Sequence, residues 1–371
     1  MGDRLRPDFN GRIHRAHEER ERAELRALVI SSPTNIAYLC GFAGTAGMLV
    51  LSPGEARLLA DGRYEAGARR RVRDGSMGPV EVESVTRRYD LTLAAVIERL
   101  RARRTGFEAE HVTVATLASW QRATPGIEWV ATERLIERHR MVKDAGEIAI
   151  LRRACRGVSD VARGMAAFVS EGRTELEVAR SIDEALDRAG FDEPAFPTIV
   201  ASGPNSASPH ARPTDRRLVQ GDLVLLDFGG RLDGYCGDLT RMAAVGQVGA
   251  EARSLFEAVR EAQAAAISAV RPGQEAPAVD TAAREVLERH GLGQAVLHAT
   301  GHGLGLELHE APRIARPDPN HTDRLEAGMV CTIEPGAYVD GFGGVRLEDD
   351  VLVTADGCEV LTDAPRDLVV V

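Results

Sequence analysis

Apolar residues follow two regimes along this chain. In the first third they gather into short unbroken runs, ALVI at 27–30, GMLVL at 47–51 and LLA at 58–60, with turn-forming residues around them. Runs this short, and apolar on both faces, predict buried strands. Between them the apolar positions spread to helical spacing: a charged helix around Ala16 to Ala27, another from Tyr64 to Val72, and a third from Leu91 to Ala102 ahead of TGF at 105–107. Alternation of strand and helix predicts an α/β layer domain. The segments SSPTN (31–35) and GFAGTAG (41–47) read as turns, because Gly41, Gly44 and Gly47 match neither a Walker loop nor a dinucleotide fingerprint.

From Glu133 the pattern changes to long helices. Apolar residues recur at helical spacing from Glu147 to Val169, and Thr174 with Glu177 forms a capping box that opens a helix running to Arg188. The expected division is a first domain over 1–135 and a second over 136–371. Compared with itself at a shift of about one hundred residues, the second half repeats: EGRTELEV (171–178) aligns with PGQEAPAV (272–279), and GDLVLLDFG (221–229) with GMVCTIEPG (328–336). Two copies of one helix–helix–strand unit are expected to pack about a pseudo-twofold axis. Asp227 then matches Glu334, each an acid ending an apolar strand, where a lone buried carboxylate is costly unless paired or bound to metal. Asp238 corresponds loosely to Glu348, and His210 to His309.

The stretch GHGLGLELHE (301–310) sets His302 and His309 seven residues apart among glycines. On an uninterrupted strand the two rings would face opposite ways, so only a bend among the glycines brings them together. Asp227 and Asp238 could face each other across a hairpin turned at 229–234, and Glu334 and Glu348 repeat the device. Four converging carboxylates would raise one another's pKa values. Two divalent cations remove that conflict, and a set of oxygens with one imidazole suits Mn²⁺ and tolerates Co²⁺, Fe²⁺ or Zn²⁺.

Composition excludes several other classes. The chain has 371 residues, 44% apolar and 27% charged, as in globular proteins. Its apolar runs are far shorter than the ~20 residues of a membrane span, and the N-terminal segment lacks the apolar stretch of a secretory signal. A cytoplasmic protein without a membrane segment is expected. A net charge of −10 gives nucleic acid no general attraction, and the arginines at 69–71 and 73 read as a solvated face. Cys40, Cys155, Cys236, Cys331 and Cys358 are scattered and never in a C-x-x-C pair, which argues against disulfides or a zinc–thiolate site.

On DFGGRLDGYCGDLTR (227–241), HATGHGLGLELHEAP (298–312), TIEPGAYV (332–339) and GGVRLEDDVLV (343–353), the chain resembles the methionine aminopeptidase, aminopeptidase P and prolidase group, and most closely its proline-specific branch. NIAYLCGFAG (35–44), LLADGRYEAGA (58–68) and MVKDAGEI (141–148) are similar to the creatinase-like domain of that branch. The resemblance implies an α/β creatinase-like N-terminal domain followed by an α+β pita-bread catalytic domain with internal duplication. It implies that Asp227 binds one metal, that His302 and Glu334 bind the other, and that Asp238 and Glu348 bridge both. His210, His298 and His309 match active-site histidines, and Tyr338 and Arg346 match positions beside the metals. Arg313 resembles an arginine that clamps a dipeptide's free carboxylate. The implied activity is hydrolysis of the bond between an N-terminal residue and proline by a hydroxide bridging two metals, in an Xaa-Pro aminopeptidase or an Xaa-Pro dipeptidase, with proline-containing peptides as substrates and a homodimer as the assembly. The alternatives are a metal-free binding module on the same fold and a creatinase-like hydrolase that is not a peptidase.

Overall fold

Helix α1 (Phe9–Arg22) begins where Asp8 accepts a hydrogen bond from Gly11 N, and it lies earlier than the helix expected around Ala16 to Ala27. It stops because Glu24 adopts φ +55°, a left-handed stop without a glycine to announce it, so that β1 (Ala27–Ile30) can start. SSPTN is also not a turn. Ser32 Oγ accepts from Asn35 N and Pro33 sits in the first turn of α2 (Pro33–Cys40), which ends at Gly41 with φ +75°. The chain continues through β2 (Met48–Ser52), β3 (Glu55–Asp61), α3 (Glu65–Arg73), β4 (Glu81–Val85), α4 (Tyr89–Arg99), β5 (Arg104–Glu108), α5 (Val114–Ala123) and β6 (Glu128–Thr132). These strands form one six-stranded sheet, ordered β4-β3-β2-β1-β5-β6. β1, β5 and β6 are parallel, and the β1-β2-β3 meander is antiparallel. Val29, Val50, Leu59 and Phe107 on the sheet pack with Leu93, Val96, Ile97 and Trp120 from α4 and α5.

The structure, a computed structural model, describes residues 7–318 and 322–371. Two units separate within it, 7–140 and 141–371. The short helix α6 (Glu137–Met141) closes the first, somewhat beyond residue 135, because Asn35 donates to Glu137 and accepts from Arg140.

The second unit contains the duplication. In the first copy, α7 (Ala145–Arg163) and α8 (Glu175–Arg188), both opened by capping boxes, precede β7 (Glu193–Pro194), β8 (Ile199–Ser202), β9 (Leu223–Leu232) and β10 (Tyr235–Ala244). In the second, α9 (Ala250–Ala269) and α10 (Ala276–Arg289) precede β11 (Gly301–Gly303), β12 (Glu310–Ile314), β13 (Val330–Ile333), β14 (Gly336–Val339), β15 (Gly343–Arg346) and β16 (Asp349–Val353). β17 (Cys358–Val360) extends the second sheet, and β18 (Val369–Val370) pairs with β10. The repeat is visible bond by bond. Gly172 N donates to Leu218 O as Gly273 N does to Leu325 O, Leu218 N donates to Arg173 O as Leu325 N does to Gln274 O, and isolated bridges join Thr174 to Arg217 and Glu275 to Arg324.

Candidate metal centre

Strand register decides which side chains meet. In the β9–β10 hairpin Asp238 stands opposite Gly229 and Thr240 opposite Asp227, so the two acids are diagonal rather than face to face. In the second copy Ile333 stands opposite Asp349 and Gly336 opposite Arg346. Carried through the intervening residues, this register levels Glu334 with Glu348. The position equivalent to Glu348 is therefore Thr240, and that equivalent to Asp238 is Arg346, which corrects the expected match of Asp238 with Glu348. Residues two apart on a strand share a face, so Asp238 still points to the same side as Thr240.

His302 lies on β11, between β12 and β13. A Cβ at Gly301 would come 2.0 Å from Thr332 O, and one at Gly303 would come 2.1 Å from Ala311 O. Only glycine permits this approach. The register shifts between His302 and Gly303, bends follow over 305–309, and the rings of His302 and His309 meet edge-on at 4.3 Å. The bend demanded by their odd spacing is present.

Donor atoms of Asp238, His302 and Glu348 all lie within 4.8 Å of one another. His302 Nε2 is 3.4 Å from Glu334 Oε1 and 4.0 Å from Asp238 Oδ2. His302 Nδ1 donates to Gly303 O (3.0 Å), leaving the Nε2 lone pair aimed at the acids, and burial and then His309 lower its pKa to about 4. The ring is thus neutral, as a ligand must be. Asp238 and Glu348 have pKa values pushed well up, first by burial and then by neighbouring carboxylates. Asp227 is raised by burial against the opposing pull of Arg346. Asp227 Oδ1 and Asp238 Oδ1 are buried with no hydrogen-bond partner. Buried, mutually repelling carboxylates with unpartnered oxygens, beside a neutral imidazole nitrogen, fit divalent cations.

A second group flanks these donors. Arg346, 3% exposed, donates through Nη2 to Asp227 Oδ2, through Nη1 to Tyr338 OH (2.7 Å) and through Nε to Thr240 Oγ1 (3.2 Å). Because Tyr338 OH accepts from Arg346, its own proton goes to His298 Nε2 (2.7 Å), and His298 Nδ1–H goes to Ala299 O (2.7 Å). Burial and then Arg346 lower His298 to about 4, so this ring too is neutral. His210 and His309 are exposed. His210 follows Pro209, whose carbonyl accepts from Arg346 Nη1 (3.2 Å), and the pKa of His309 is lowered by burial and then by the neighbouring His210. Arg313 is exposed on β12, opposite His302 in the β11–β12 ladder.

Three residues of the site are absent from the sequence reading. Thr240 Oγ1 donates to Glu348 Oε2 (2.6 Å), Thr332 Oγ1 accepts from His302 N (3.1 Å) and reaches Glu334 Oε1 (3.3 Å), and Asp350 Oδ2 accepts from Asp238 N (3.0 Å). Thr240 and Thr332 each stand two residues from a singled-out acid, so strand alternation was the signal that could have found them.

A duplicated α+β domain that buries such a cluster, preceded by an α/β domain, is the architecture of the pita-bread metallopeptidases. The chain belongs to that family: Metallopeptidase family M24 matches residues 149–355, and the Creatinase/Prolidase N-terminal domain matches 12–142. Its place is the Xaa-Pro peptidase branch, whose members work with divalent metal ions. An uncharacterized peptidase of Bacillus subtilis (strain 168) is 35% identical over 92% of this chain and 95% of its own. Among solved structures, the Xaa-Pro dipeptidase from Bacillus anthracis superposes with a TM-score of 0.93 at 31% identity, covering 98% of this chain and 100% of that one. The X-Pro aminopeptidase from Thermotoga maritima MSB8 gives 0.87 at 29% identity, covering 95% and 100%. No helix of the described residues is long and apolar enough to cross a membrane.

Proposed function

We propose that this metallopeptidase is an exopeptidase that cleaves the bond between an N-terminal residue and proline, with two divalent cations at the carboxylate–histidine cluster. Asp227 would hold one ion, His302 and Glu334 the other, and Asp238 and Glu348 would lie between them. When bound, the cations supply Lewis acidity and a water made nucleophilic at neutral pH. The observation that carries this reading is the meeting of the Asp238, His302 and Glu348 donor atoms within 4.8 Å. A binding module without metal would have no use for unpartnered buried oxygens on Asp227 and Asp238.

The protein's own groups then have defined tasks. Arg346 opposes the burial that raises Asp227 and holds the Tyr338 hydroxyl, which in turn presents its proton to His298 Nε2. His309, edge-on to His302, and His210 line the substrate side. The proton for the leaving imino nitrogen comes from Glu334 or from one of these histidines. A tertiary amide has no N–H to offer, so proline is recognised by shape and by histidine contacts. The dipeptide reading is favoured by Arg313, which lies level with His302 across the ladder and whose guanidinium has no partner among the described residues, free to pair with a terminal carboxylate. The test is hydrolysis of Ala-Pro and of Ala-Pro-Ala by the manganese-loaded enzyme. Cleavage confined to Ala-Pro is expected, efficient release of alanine from the tripeptide would make it an aminopeptidase, and inertness toward both would overturn the proposal.

A further inference from the structure

Helix α10 contributes nothing to the donor cluster, yet two of its side chains reach the segment leading into β11. Asp280, 1% exposed, accepts through Oδ1 from Thr300 N (3.1 Å) and Thr300 Oγ1 (2.8 Å), and through Oδ2 from Arg284 Nε (2.6 Å). Arg284 Nη2 donates to His298 O (2.8 Å). Asp280 and Arg284 are one helical turn apart, so the helix itself fixes their pairing.

These bonds hold the two peptide planes on either side of Ala299. His298 O lies in the first plane, gripped by Arg284. Ala299 O and Thr300 N lie in the second and point in opposite directions, because a trans peptide is planar. With Thr300 N drawn to Asp280, Ala299 O is turned toward His298 Nδ1, the bond that keeps the proton on Nδ1 and leaves Nε2 to accept from Tyr338. Thr300 O also accepts from Glu334 N (2.7 Å), so the same grip reaches Glu334, which directly follows β13. The first copy has no such device. α8 and α10 start at equivalent positions, Glu175 and Ala276, which puts Asp183 where Arg284 stands, and Asp183 only accepts from Thr198 Oγ1 (2.6 Å).

We propose that Asp280 and Arg284 are positioning residues that set the tautomer and the orientation of the His298 ring; the proposal rests on the reading of His298 as part of the peptidase site. Without Arg284 the first plane, which joins the Cα of His298 to that of Ala299, is free to rotate and carries the His298 ring away from Ala299 O, which Asp280 still holds through Thr300 N, so the ring populates both tautomers. Loss of aim at one side chain lowers turnover with little effect on binding.

The experiment compares Arg284→Met and Arg284→Lys with the unaltered enzyme, all loaded with zinc, using nitrogen-15 NMR of the histidine rings and steady-state hydrolysis of Ala-Pro. His298 is assigned from the signal lost in His298→Gln. In the unaltered enzyme its two nitrogens are expected at well-separated protonated and unprotonated positions. In Arg284→Met they should move toward each other, with kcat down about tenfold to a hundredfold, KM little changed and bound zinc unchanged. Lysine keeps one donor and should restore part of both effects; if the methionine variant does not fold, the lysine variant decides alone through a partial shift. Unchanged ring nitrogens in the folded variants, or shifted nitrogens with unchanged kcat, would overturn the proposal. The NMR comparison needs no turnover, so an enzyme inert toward Xaa-Pro substrates would contradict the proposed function while leaving the tautomer result to decide this one.

Discussion

Burial raises the pKa of Asp238 most, and the carboxylates of Glu348, Asp227, Asp350 and Glu334, all of the same sign, raise it further. Removing its charge should therefore help the metal-free protein and harm the loaded one. Asp238→Asn is expected to melt no lower than the unaltered protein without metal, to lose the rise in Tm on adding manganese, and to lose hydrolysis. Asp238→Ala should likewise abolish hydrolysis while staying folded, as a circular dichroism spectrum would show. The raised pKa values also fix a pH dependence. Cations bind the carboxylate form, so a site whose metal-free pKa values are raised must release protons on binding. Affinity is full above those raised values and is lost as pH falls through them. Calorimetric titration in two buffers of different ionisation enthalpy should report proton release on binding, and equal heats would contradict it. At this scale the sequence made the acids legible, because an acid closing an apolar run has to be explained. It hid Thr240 and Thr332, because a hydroxyl in a strand carries no comparable penalty until its partners are known. Thr240→Val leaves Glu348 Oε2 and Arg346 Nε without that partner, and chemical denaturation of the metal-free protein should show a loss of about 1–3 kcal/mol.

Among the elements, β11 is the most constrained, with backbone from β12 and β13 against its glycines. Gly301→Ala would place a Cβ 2.0 Å from Thr332 O, a backbone atom that can yield only if β13 moves. A loss of about 3 kcal/mol or more in the denaturation of the second unit is expected, and a loss below about 1 kcal/mol would mean that the strands separate more easily than their packing implies. The glycines announced this crowding in the sequence, whereas the ends of other elements were harder to read. α1 stops at Glu24 in a left-handed conformation that no glycine marks, and Ser32-Pro33, read as a turn, is an N-cap followed by a first-turn proline. β4 and β6 went unread because half-buried strands such as EWVAT carry little periodicity, and α5 because Trp120 alone of its 10 residues is buried.

For the whole molecule, the duplication was the most legible feature, since two copies of one unit leave the same apolar and glycine spacing twice. Its register was not legible. Alignment matched Asp238 to Glu348, and only the ladders showed that Thr240 holds the equivalent place while Asp238 answers to Arg346. The copies have thus diverged at their shared centre, one supplying an acid where the other supplies the arginine that steadies Asp227. The central claim is that this asymmetric centre works with two cations. Its most direct measurement is titration of chelator-stripped protein with Mn²⁺ while Ala-Pro hydrolysis is followed. The account predicts no hydrolysis without metal and a rate that rises until two ions are bound per chain; undiminished hydrolysis in excess chelator, or full activity at one ion per chain, would contradict it.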